Sequence, residues 1–170
     1  MNFIYSQEDI ITSKKCEELI KELLPQTKNN FYKQGQYYFK DFNFEKIQKE
    51  MDLLVKAYRK NYPTVDFTYD RWECSVPRFK HYPPNHAFSN WHCDHGVGHP
   101  LRIAAIIIYL SNHQKGTEFL MQNVHVSSKV GRALIFPAAY THVHQGHPCP
   151  DKKDRYIIST YLTLVPNERK

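Results

Sequence analysis

Two side chains with metal-ligand chemistry stand two positions apart near the middle of the chain. His92 and Asp94 flank Cys93. On a β-strand, residues i and i+2 project from the same face, so the imidazole and the carboxylate would point at one spot and Cys93 away from it. With one further histidine they would form the two-histidine, one-carboxylate triad that holds non-haem Fe(II) and leaves coordination positions open. The spacing therefore predicts a strand that carries two ligands of a metal site.

The third ligand must come from a distant segment. All ten histidines lie between His81 and His147, which favours a metal site but offers more candidates than ligands. His142 and His144 would share a face if their segment is a strand, so periodicity leaves both open. Arg155 follows them, and H-x-D, a distal histidine and a later arginine together form a stronger signal than any one part. Ordinary loop or surface positions are expected for His95, His99, His113 and His125.

The bulk composition predicts one globular domain spanning residues 1–170. The chain is 41% hydrophobic and 24% charged, with a formal net charge of +6. Its basic residues are dispersed, so the charge permits an acidic partner without requiring one. No apolar run is long enough for a membrane span, and the first residues lack the pattern of a signal peptide. The four cysteines form no C-x-x-C pair, which favours reduced thiols and a cytoplasmic location: Cys16, Cys74, Cys93 and Cys149. Oligomeric state leaves no signal in the sequence.

Residues 1–62 are predicted to form a helical layer. Apolar residues recur at helical spacing from Cys16 to Leu24, with Ser13 as N-cap and Pro25 as the stop. A second stripe runs from Phe44 to Tyr58, with Asn43 as its cap. The intervening residues 29–39 have no clear period and fit either a short strand or a loop over the active site.

From residue 63 to 166 the pattern changes to short strands. Val65, Phe67 and Tyr69 alternate, and so do Trp72, Cys74 and Val76. Gly116 and Gly131 are expected at turns. Many short strands at close spacing indicate a sandwich, barrel or jelly roll. Further strands are expected near residues 102–110, 118–121, 132–136, 141–144 and 155–164.

The order of motifs over residues 72–164 resembles the Fe(II)- and 2-oxoglutarate-dependent dioxygenases, and within them the prolyl 4-hydroxylase-like group. The resemblance rests on Tyr82-Pro83-Pro84, Trp91-His92-Cys93-Asp94, Tyr109-Leu110-Ser111, Gly116-Thr117-Glu118-Phe119, Val130-Gly131-Arg132 and Arg155-Tyr156-Ile157-Ile158-Ser159. It implies a double-stranded β-helix, or jelly roll, whose one sheet is backed by helices. The strand and helix pattern reached a compatible fold independently.

The resemblance also implies roles for individual residues. It makes His92, Asp94 and His144 the iron ligands, because His144 has the family's spacing to Pro148 and to Arg155. His142 would then be a pocket residue. Arg155 would bind the distal carboxylate of 2-oxoglutarate with its bidentate fork. Tyr109, Ser159 and Tyr82 are further candidates for contact with the cosubstrate. The implied cofactors are Fe(II), 2-oxoglutarate and O2, with ascorbate as an additional candidate.

Hydroxylation is the expected reaction, because the carboxylate of Asp94 occupies the place where related halogenases have a small residue and bind halide. The leading substrate is a peptidyl or free amino-acid side chain, proline above all, with substrate contacts expected in residues 26–42 and 83–90. A dioxygenase acting on nucleic acid is one alternative, although such enzymes carry a second arginine where this chain has Tyr161. A cupin-like binding protein without turnover and a zinc hydrolase are the others.

Overall fold

The computed structural model describes residues 2–67, 71–148 and 151–165, and its strands outnumber its helices. Two α-helices of more than two turns are present, α1 (Ser13–Leu23) and α2 (Gln48–Asn61). The strands are β1 (Tyr5–Gln7), β2 (Phe31–Tyr32), β3 (Tyr37–Asp41), β4 (Trp72–Cys74), β5 (Arg78–Tyr82), β6 (Arg102–Tyr109), β7 (His113–Phe119), β8 (Val124–Ser128), β9 (Ala133–Pro137), β10 (His144–Gly146) and β11 (Arg155–Leu164). Short 3₁₀ turns occupy Leu24–Thr27, Phe44–Lys46, Pro63–Phe67 and Tyr140–His142.

Two antiparallel sheets form the body of the fold. The large sheet has the order β1-β9-β6-β11-β5-β3-β2, with β4 also paired to β11, and the small sheet has the order β10-β7-β8. This arrangement confirms the predicted mainly-β jelly roll backed by helices. Residues 1–62 contribute more than a helical layer, because β1, β2 and β3 all join the large sheet.

Strand alternation gives the large sheet two different faces. Ile106 and Ile108 of β6 pack among the buried residues of α1 and α2, whereas Ala105 and Tyr109 of the same strand face the small sheet. A fully buried aliphatic side chain contributes roughly 1.5–3 kcal/mol, so this division favours one register for the strand. The face towards the small sheet is the one that lines the candidate site.

The first helix begins one residue earlier than predicted. Thr12, not Ser13, is the N-cap: its backbone is extended, and its hydroxyl accepts a hydrogen bond from the backbone N–H of Lys15 at 3.3 Å. The α-helix ends at Leu23, before the turn that contains Pro25. Asn43 acts as a cap as predicted, accepting from Glu45 N–H at 2.9 Å, although it caps the short turn that precedes α2.

Several predicted strands have a different form. Pro63–Phe67 is a 3₁₀ turn, because Pro63 has a suitable fixed φ for a first turn and no strand pairs with this segment; Phe67 is 89% exposed, and Tyr69 lies outside the described residues. Residues 141–144 divide into a turn that ends at His142 and strand β10, which begins at His144. Gly116 lies within β7, at an irregularity in its pairing with β8, and not in a turn between strands.

The segment around His92 and Asp94 is not a regular strand. Among the described residues, it pairs through a single bridge between His92 and His144. The flanking residues at 95–100 turn away instead of extending the ladder. None of the helices within the described ranges is long and apolar enough to cross a membrane.

Gly131 does lie in a turn, and its backbone has a φ of +78°. A Cβ atom there would stand 2.3 Å from the backbone oxygen of Ile11. We expect Gly131→Ala to lower the free energy of unfolding by at least about 1–3 kcal/mol, the range for a strained backbone conformation. Denaturant unfolding measures this loss. Gly98→Ala is the matched control, since a Cβ at Gly98 meets no atom within 4 Å, and equal losses in the two variants would contradict the prediction.

Candidate active site

The three predicted ligands converge at one point between the two sheets. One ligand atom from each of His92, Asp94 and His144 can be chosen so that all three lie within 4.8 Å of one another. The Nε2 atom of His92 is 3.9 Å from Asp94 Oδ1, and Nε2 of His144 is 3.4 Å from Asp94 Oδ2. Two nitrogen donors and one carboxylate on one side of a cavity form the facial set that suits non-haem Fe(II).

Backbone pairing takes the place of the predicted strand in bringing these groups together. The N–H of His92 donates to the carbonyl of His144 at 3.0 Å, and His144 N–H donates back to His92 at 2.9 Å. The N–H of Asp94 donates to Ala138 O at 3.1 Å, just beyond the end of β9. The H-x-D segment is therefore held by residues far away in sequence.

Both histidine rings are turned so that Nε2 faces the shared point. Nδ1 of His92 lies 2.9 Å from the carbonyl oxygen of Asn90, and Nδ1 of His144 lies 3.0 Å from that of His142. A carbonyl can only accept, so each Nδ1 carries the proton and each Nε2 presents a lone pair. Such partners fix the tautomer and the orientation of metal-binding histidines.

The electrostatics of the site also suit a cation. Burial lowers the pKa of His144 to about 4, so its ring is neutral near pH 7 and able to ligate. The Tyr161 hydroxyl donates to Asp94 Oδ1 at 3.3 Å, which orients the carboxylate. Burial raises the pKa of Tyr161, and Asp94 raises it further, so the phenol remains a donor.

His142 and His144 have different surroundings. His142 is buried, but its Nε2 lies 2.7 Å from the carbonyl oxygen of Asn2, and its Nδ1 lies 3.0 Å from the Thr141 hydroxyl. The 3₁₀ turn that ends at His142 breaks the alternation that would have put both histidines on one face. His142 therefore packs on the N-terminal segment, and its ring points away from His92 and Asp94.

Arg155 lies at the far end of the same cavity. Its side chain is buried, and Nη1 donates to the carbonyl of His147 at 2.8 Å. The guanidinium carbon stands 4.9 Å from the ring centroid of Tyr82, the residue paired with Arg155 across β5 and β11. Ser159 follows on the same face of β11 and is also buried. This end of the cavity combines a fixed cation with hydroxyl groups.

The Tyr109 hydroxyl is already engaged, donating to Thr117 Oγ1 at 2.7 Å. Burial raises the pKa of Tyr109 to about 12, so the hydroxyl keeps its proton near pH 7. Burial likewise raises the pKa of Tyr82, and the charge of Arg155 lowers it in part. Thr117, which was not predicted as a site residue, lines the same cavity.

One cavity of about 570 Å³ joins the histidine–carboxylate cluster to Arg155. Its volume lies within the usual range of about 300–1,000 Å³ for small-molecule sites. The same cavity therefore holds a set of possible metal ligands at one end and a buried guanidinium at the other. A dicarboxylate could bind a metal ion with one carboxylate and the guanidinium with the other. These residues fit both Fe(II) and 2-oxoglutarate. From the predicted substrate-contact segments, Tyr32, Tyr37 and Phe88 line the cavity.

Sequence reasoning assigned no site role to Tyr161, Lys80 or Arg102, although all three line the cavity. Alternation along β5 and β11 could have found two of them, because Lys80 shares a face with Tyr82, and Tyr161 shares one with Arg155. His113 was expected on the surface but is buried, with Nδ1 2.9 Å from Asp151 Oδ2. The other three histidines in that group are exposed, as expected: His95, His99 and His125.

Residues 77–163 match the family model of the 2OG-Fe(II) oxygenase superfamily. The match spans half of the chain, and the chain belongs to this superfamily. It is an Fe(II)- and 2-oxoglutarate-dependent dioxygenase, as the resemblance predicted, and this membership favours an enzyme over a cupin-like binder or a zinc hydrolase. No curated protein matches the sequence significantly.

Solved structures of prolyl hydroxylases share the fold at low sequence identity. The viral collagen prolyl hydroxylase of Paramecium Bursaria Chlorella virus-1, in its 2OG complex, has a TM-score of 0.76 at 14% identity, over 96% of this chain and 97% of that one. A Pseudomonas putida prolyl-4-hydroxylase has a TM-score of 0.73 at 15% identity, over 98% of this chain and 95% of that one. The Trichoplax adhaerens prolyl hydroxylase in complex with a hypoxia inducible factor peptide has a TM-score of 0.71 at 13% identity, over 96% of this chain and 84% of that one. The predicted prolyl 4-hydroxylase-like grouping is confirmed at the level of the fold.

Proposed function

We propose that His92, Asp94 and His144 hold Fe(II), that Arg155 binds the distal carboxylate of 2-oxoglutarate, and that the enzyme hydroxylates proline in a peptide or as a free amino acid. The observation that carries this proposal is the single cavity lined by all four residues. A dicarboxylate that bridges the metal and the guanidinium would fill its inner part. Tyr32 of β2 and Tyr37 of β3 also line the cavity, and we expect the substrate to bind on their side.

When bound, the iron centre supplies the oxidising chemistry: O2 and 2-oxoglutarate become succinate and CO2, and the substrate C–H gains one oxygen atom. The residues of the chain orient the metal ligands and enclose the site. Nδ1–H donation fixes the rings of His92 and His144, and Tyr161 holds the Asp94 carboxylate. The ring of Phe88 packs 4.2 Å from that of His92, between centroids, and limits the access of water to this side.

Aromatic side chains at the mouth support proline as the target. Tyr32 lines the cavity and is 37% exposed, and Tyr37 of the same hairpin also lines it, with the two ring centroids 5.3 Å apart. Phe88 adds a third ring next to His92. Flat aromatic faces offer apolar contact to a pyrrolidine ring at little entropic cost. The shared fold with prolyl hydroxylases, one of them solved with a peptide, supports the same class of substrate.

A reducing, cytoplasmic setting for this enzyme is supported by its thiols. Among the described residues, Cys16, Cys74 and Cys93 are free, and Cys149 lies outside that part of the chain. Burial raises the pKa of Cys16 to about 11 and that of Cys74 to about 12, which keeps both thiols protonated and unreactive.

Mass spectrometry of reaction mixtures tests the substrate. We expect proline-containing peptides or free L-proline, incubated with enzyme, Fe(II), 2-oxoglutarate and O2, to gain one oxygen atom at proline while succinate forms in equal amount. Peptides with alanine in place of proline are the control. A modification found on a methylated oligonucleotide, and on no amino-acid substrate, would contradict the proposal and favour the nucleic-acid alternative.

A further inference from the structure

The cavity carries more positive charge than its proposed cosubstrate requires. Four cationic side chains line it, and Asp94 is the one Asp or Glu among its lining residues in the described part of the chain: Arg78, Lys80, Arg102 and Arg155 are the cations. A divalent ion together with Arg155 would balance Asp94 and the two carboxylates of 2-oxoglutarate. Whatever neutralises the other three cations must come from elsewhere.

Arg78 already has a partner. Its Nε donates to Asp41 Oδ1 at 2.6 Å, and its Nη2 donates to Oδ2 at 2.9 Å, a bidentate pair at the exposed edge of β3 and β5. This pairing raises the pKa of Arg78 well above its ordinary value. Arg78 is therefore neutralised within the chain.

Lys80 has no such partner. Its Nζ stands 4.7 Å from the ring centroid of Tyr37, on the β3 side of β5 and so away from β11, which carries Arg155. Its neighbours on β5 are paired, Arg78 with Asp41 and His81 with Asp154, whereas no ion pair among the described residues includes Lys80. Burial, with repulsion from Arg78 and Arg102, lowers the pKa of Lys80 to about 8, and the more distant charges of Asp94 and Asp41 offset this shift only in part. An aromatic face stabilises the ammonium only in part.

Arg102 is the second unbalanced cation. Its guanidinium carbon lies 3.6 Å from the ring centroid of Tyr161, and Nη1 approaches the backbone oxygen of Asp94 at 3.5 Å. In the part of the chain that the structure describes, Arg102 forms no ion pair with a carboxylate side chain. The stacking on Tyr161 keeps the guanidinium beside the ligand cluster.

We propose that Lys80 and Arg102 form a second anion site, which binds a carboxylate of the substrate. This inference rests on the proposed function and narrows its substrate to an acidic one. The carboxylate is either the α-carboxylate of the hydroxylated residue or the acidic side chain of its neighbour. Each cation stands over one aromatic ring of the cavity lining, Lys80 over Tyr37 and Arg102 over Tyr161, and these contacts help to hold the two cations in place.

Two other occupants fit the site less well. In the proposed function, the metal ion and Arg155 already bind the two carboxylates of 2-oxoglutarate. The ammonium group of Lys80 lies over the ring of Tyr37, on the side of β5 away from Arg155. A nucleic-acid backbone needs cations along an exposed groove, whereas Lys80 and Arg102 lie inside the cavity. A short substrate with a carboxylate close to its reactive carbon would place that carboxylate between Lys80 and Arg102 and neutralise both.

The proposal is tested by measuring how tightly substrate analogues bind to the enzyme with its cofactors but without O2, so that no turnover occurs. The protein with Fe(II) and saturating 2-oxoglutarate, kept anaerobic, would be titrated calorimetrically with two matched pairs of probes. One pair is N-acetyl-L-proline and N-acetyl-L-prolinamide; the other is the dipeptide amides N-acetyl-Pro-Asp and N-acetyl-Pro-Asn. Each pair differs in one carboxylate, and the pair that shows a preference identifies its source.

We expect wild type to bind the acidic member of one pair about tenfold to a hundredfold more tightly, the usual effect of a hydrogen bond to a charged group. Lys80→Met and Arg102→Gln should each reduce that preference, while binding of the neutral member changes little. Lys21→Met is the control, because Lys21 is exposed on α1. The visible band of the iron–2-oxoglutarate chelate should be unchanged in Lys80→Met.

The proposal is overturned if wild type shows no preference in either pair, or if the preference survives in both variants. It is also overturned if Lys80→Met weakens the chelate band, since Lys80 would then serve the cosubstrate. A salt-sensitive competition by oligonucleotides that depends on Lys80 would likewise contradict it. A preference lost in both variants, with no oxygen transferred to any probe in air, would support the anion site while refuting proline as the substrate.

Discussion

Replacing His144 by alanine is expected to abolish hydroxylation and the visible metal-to-ligand charge-transfer band of the anaerobic Fe(II)–2-oxoglutarate complex. His144 presents one of the two neutral nitrogen donors, and the Asp94 carboxylate is 3.4 Å from its Nε2. Loss of an outer partner of a metal ligand commonly costs about 10–100-fold in metal affinity or activity, so loss of a ligand should exceed about a hundredfold. Anaerobic titration with Fe(II) and succinate assays in air measure the two effects.

His142→Ala provides the matched comparison for this prediction. His142 is buried like His144, but its ring bonds to Asn2 and Thr141 and lies against Phe119. Among the described residues, the cluster of possible metal ligands is His92, Asp94 and His144, without His142. Its replacement should lower stability through the lost hydrogen bonds while the charge-transfer band is retained. A band that persists in His144→Ala and disappears in His142→Ala would assign the ligand to the other histidine. Denaturant unfolding of both variants separates loss of metal from loss of fold.

Arg155→Ala is expected to weaken 2-oxoglutarate binding about a hundredfold or more. Truncating one partner of a buried, hydrogen-bonded charge pair typically costs about 2–5 kcal/mol, and Arg155 is 5% exposed. Arg155→Lys should recover part of the loss, because an ammonium group keeps the charge but not the bidentate fork. The KM for 2-oxoglutarate in a succinate assay, together with titration of the chelate band, measures both variants.

Arg71→Ala is the control for the arginine series. Arg71 is exposed and pairs with Glu73 on the surface, so its removal should leave the KM for 2-oxoglutarate unchanged. If Arg155→Ala raised the KM of the peptide substrate alone, the guanidinium would belong to the substrate site and the assignment to the cosubstrate would be wrong. Since Ala also removes the contact with Tyr82, an unfolding measurement should accompany the kinetics.

Local pattern was sufficient for the elements that are buried on one or both faces. Strands β6 and β11 have nearly the predicted bounds, because long apolar stretches at the centre of a sheet have few other ways to bury themselves. The α1 stripe also behaved as predicted, with Cys16, Leu19 and Leu23 buried. By contrast, β1, β2 and β3 are short or peripheral, and their pairing with distant strands has no local signal.

The ligand types were readable from the chain order, but their geometry was not. An H-x-D pair and a distal histidine predict a facial triad by chemistry alone. The predicted strand around His92 is absent, and its place is taken by backbone bonds to His144 and Ala138 that only the folded chain can form. The choice between His142 and His144 likewise depended on a turn whose end point periodicity could not predict.

The sequence by itself determined the class of chemistry, because residue type and order along the chain need no folding to be read. Strand alternation left a sandwich, a barrel or a jelly roll open, and the family resemblance selected the jelly roll and the cosubstrate arginine. Only the tertiary structure decided which charges are balanced. Arg78, Lys80 and Arg102 are similar cations in the sequence and line the same cavity, yet of these three only Arg78 forms an ion pair with a carboxylate among the described residues, that of Asp41. Electrostatic pairing depends on distances across strands and on burial, and neither quantity exists before the chain has folded.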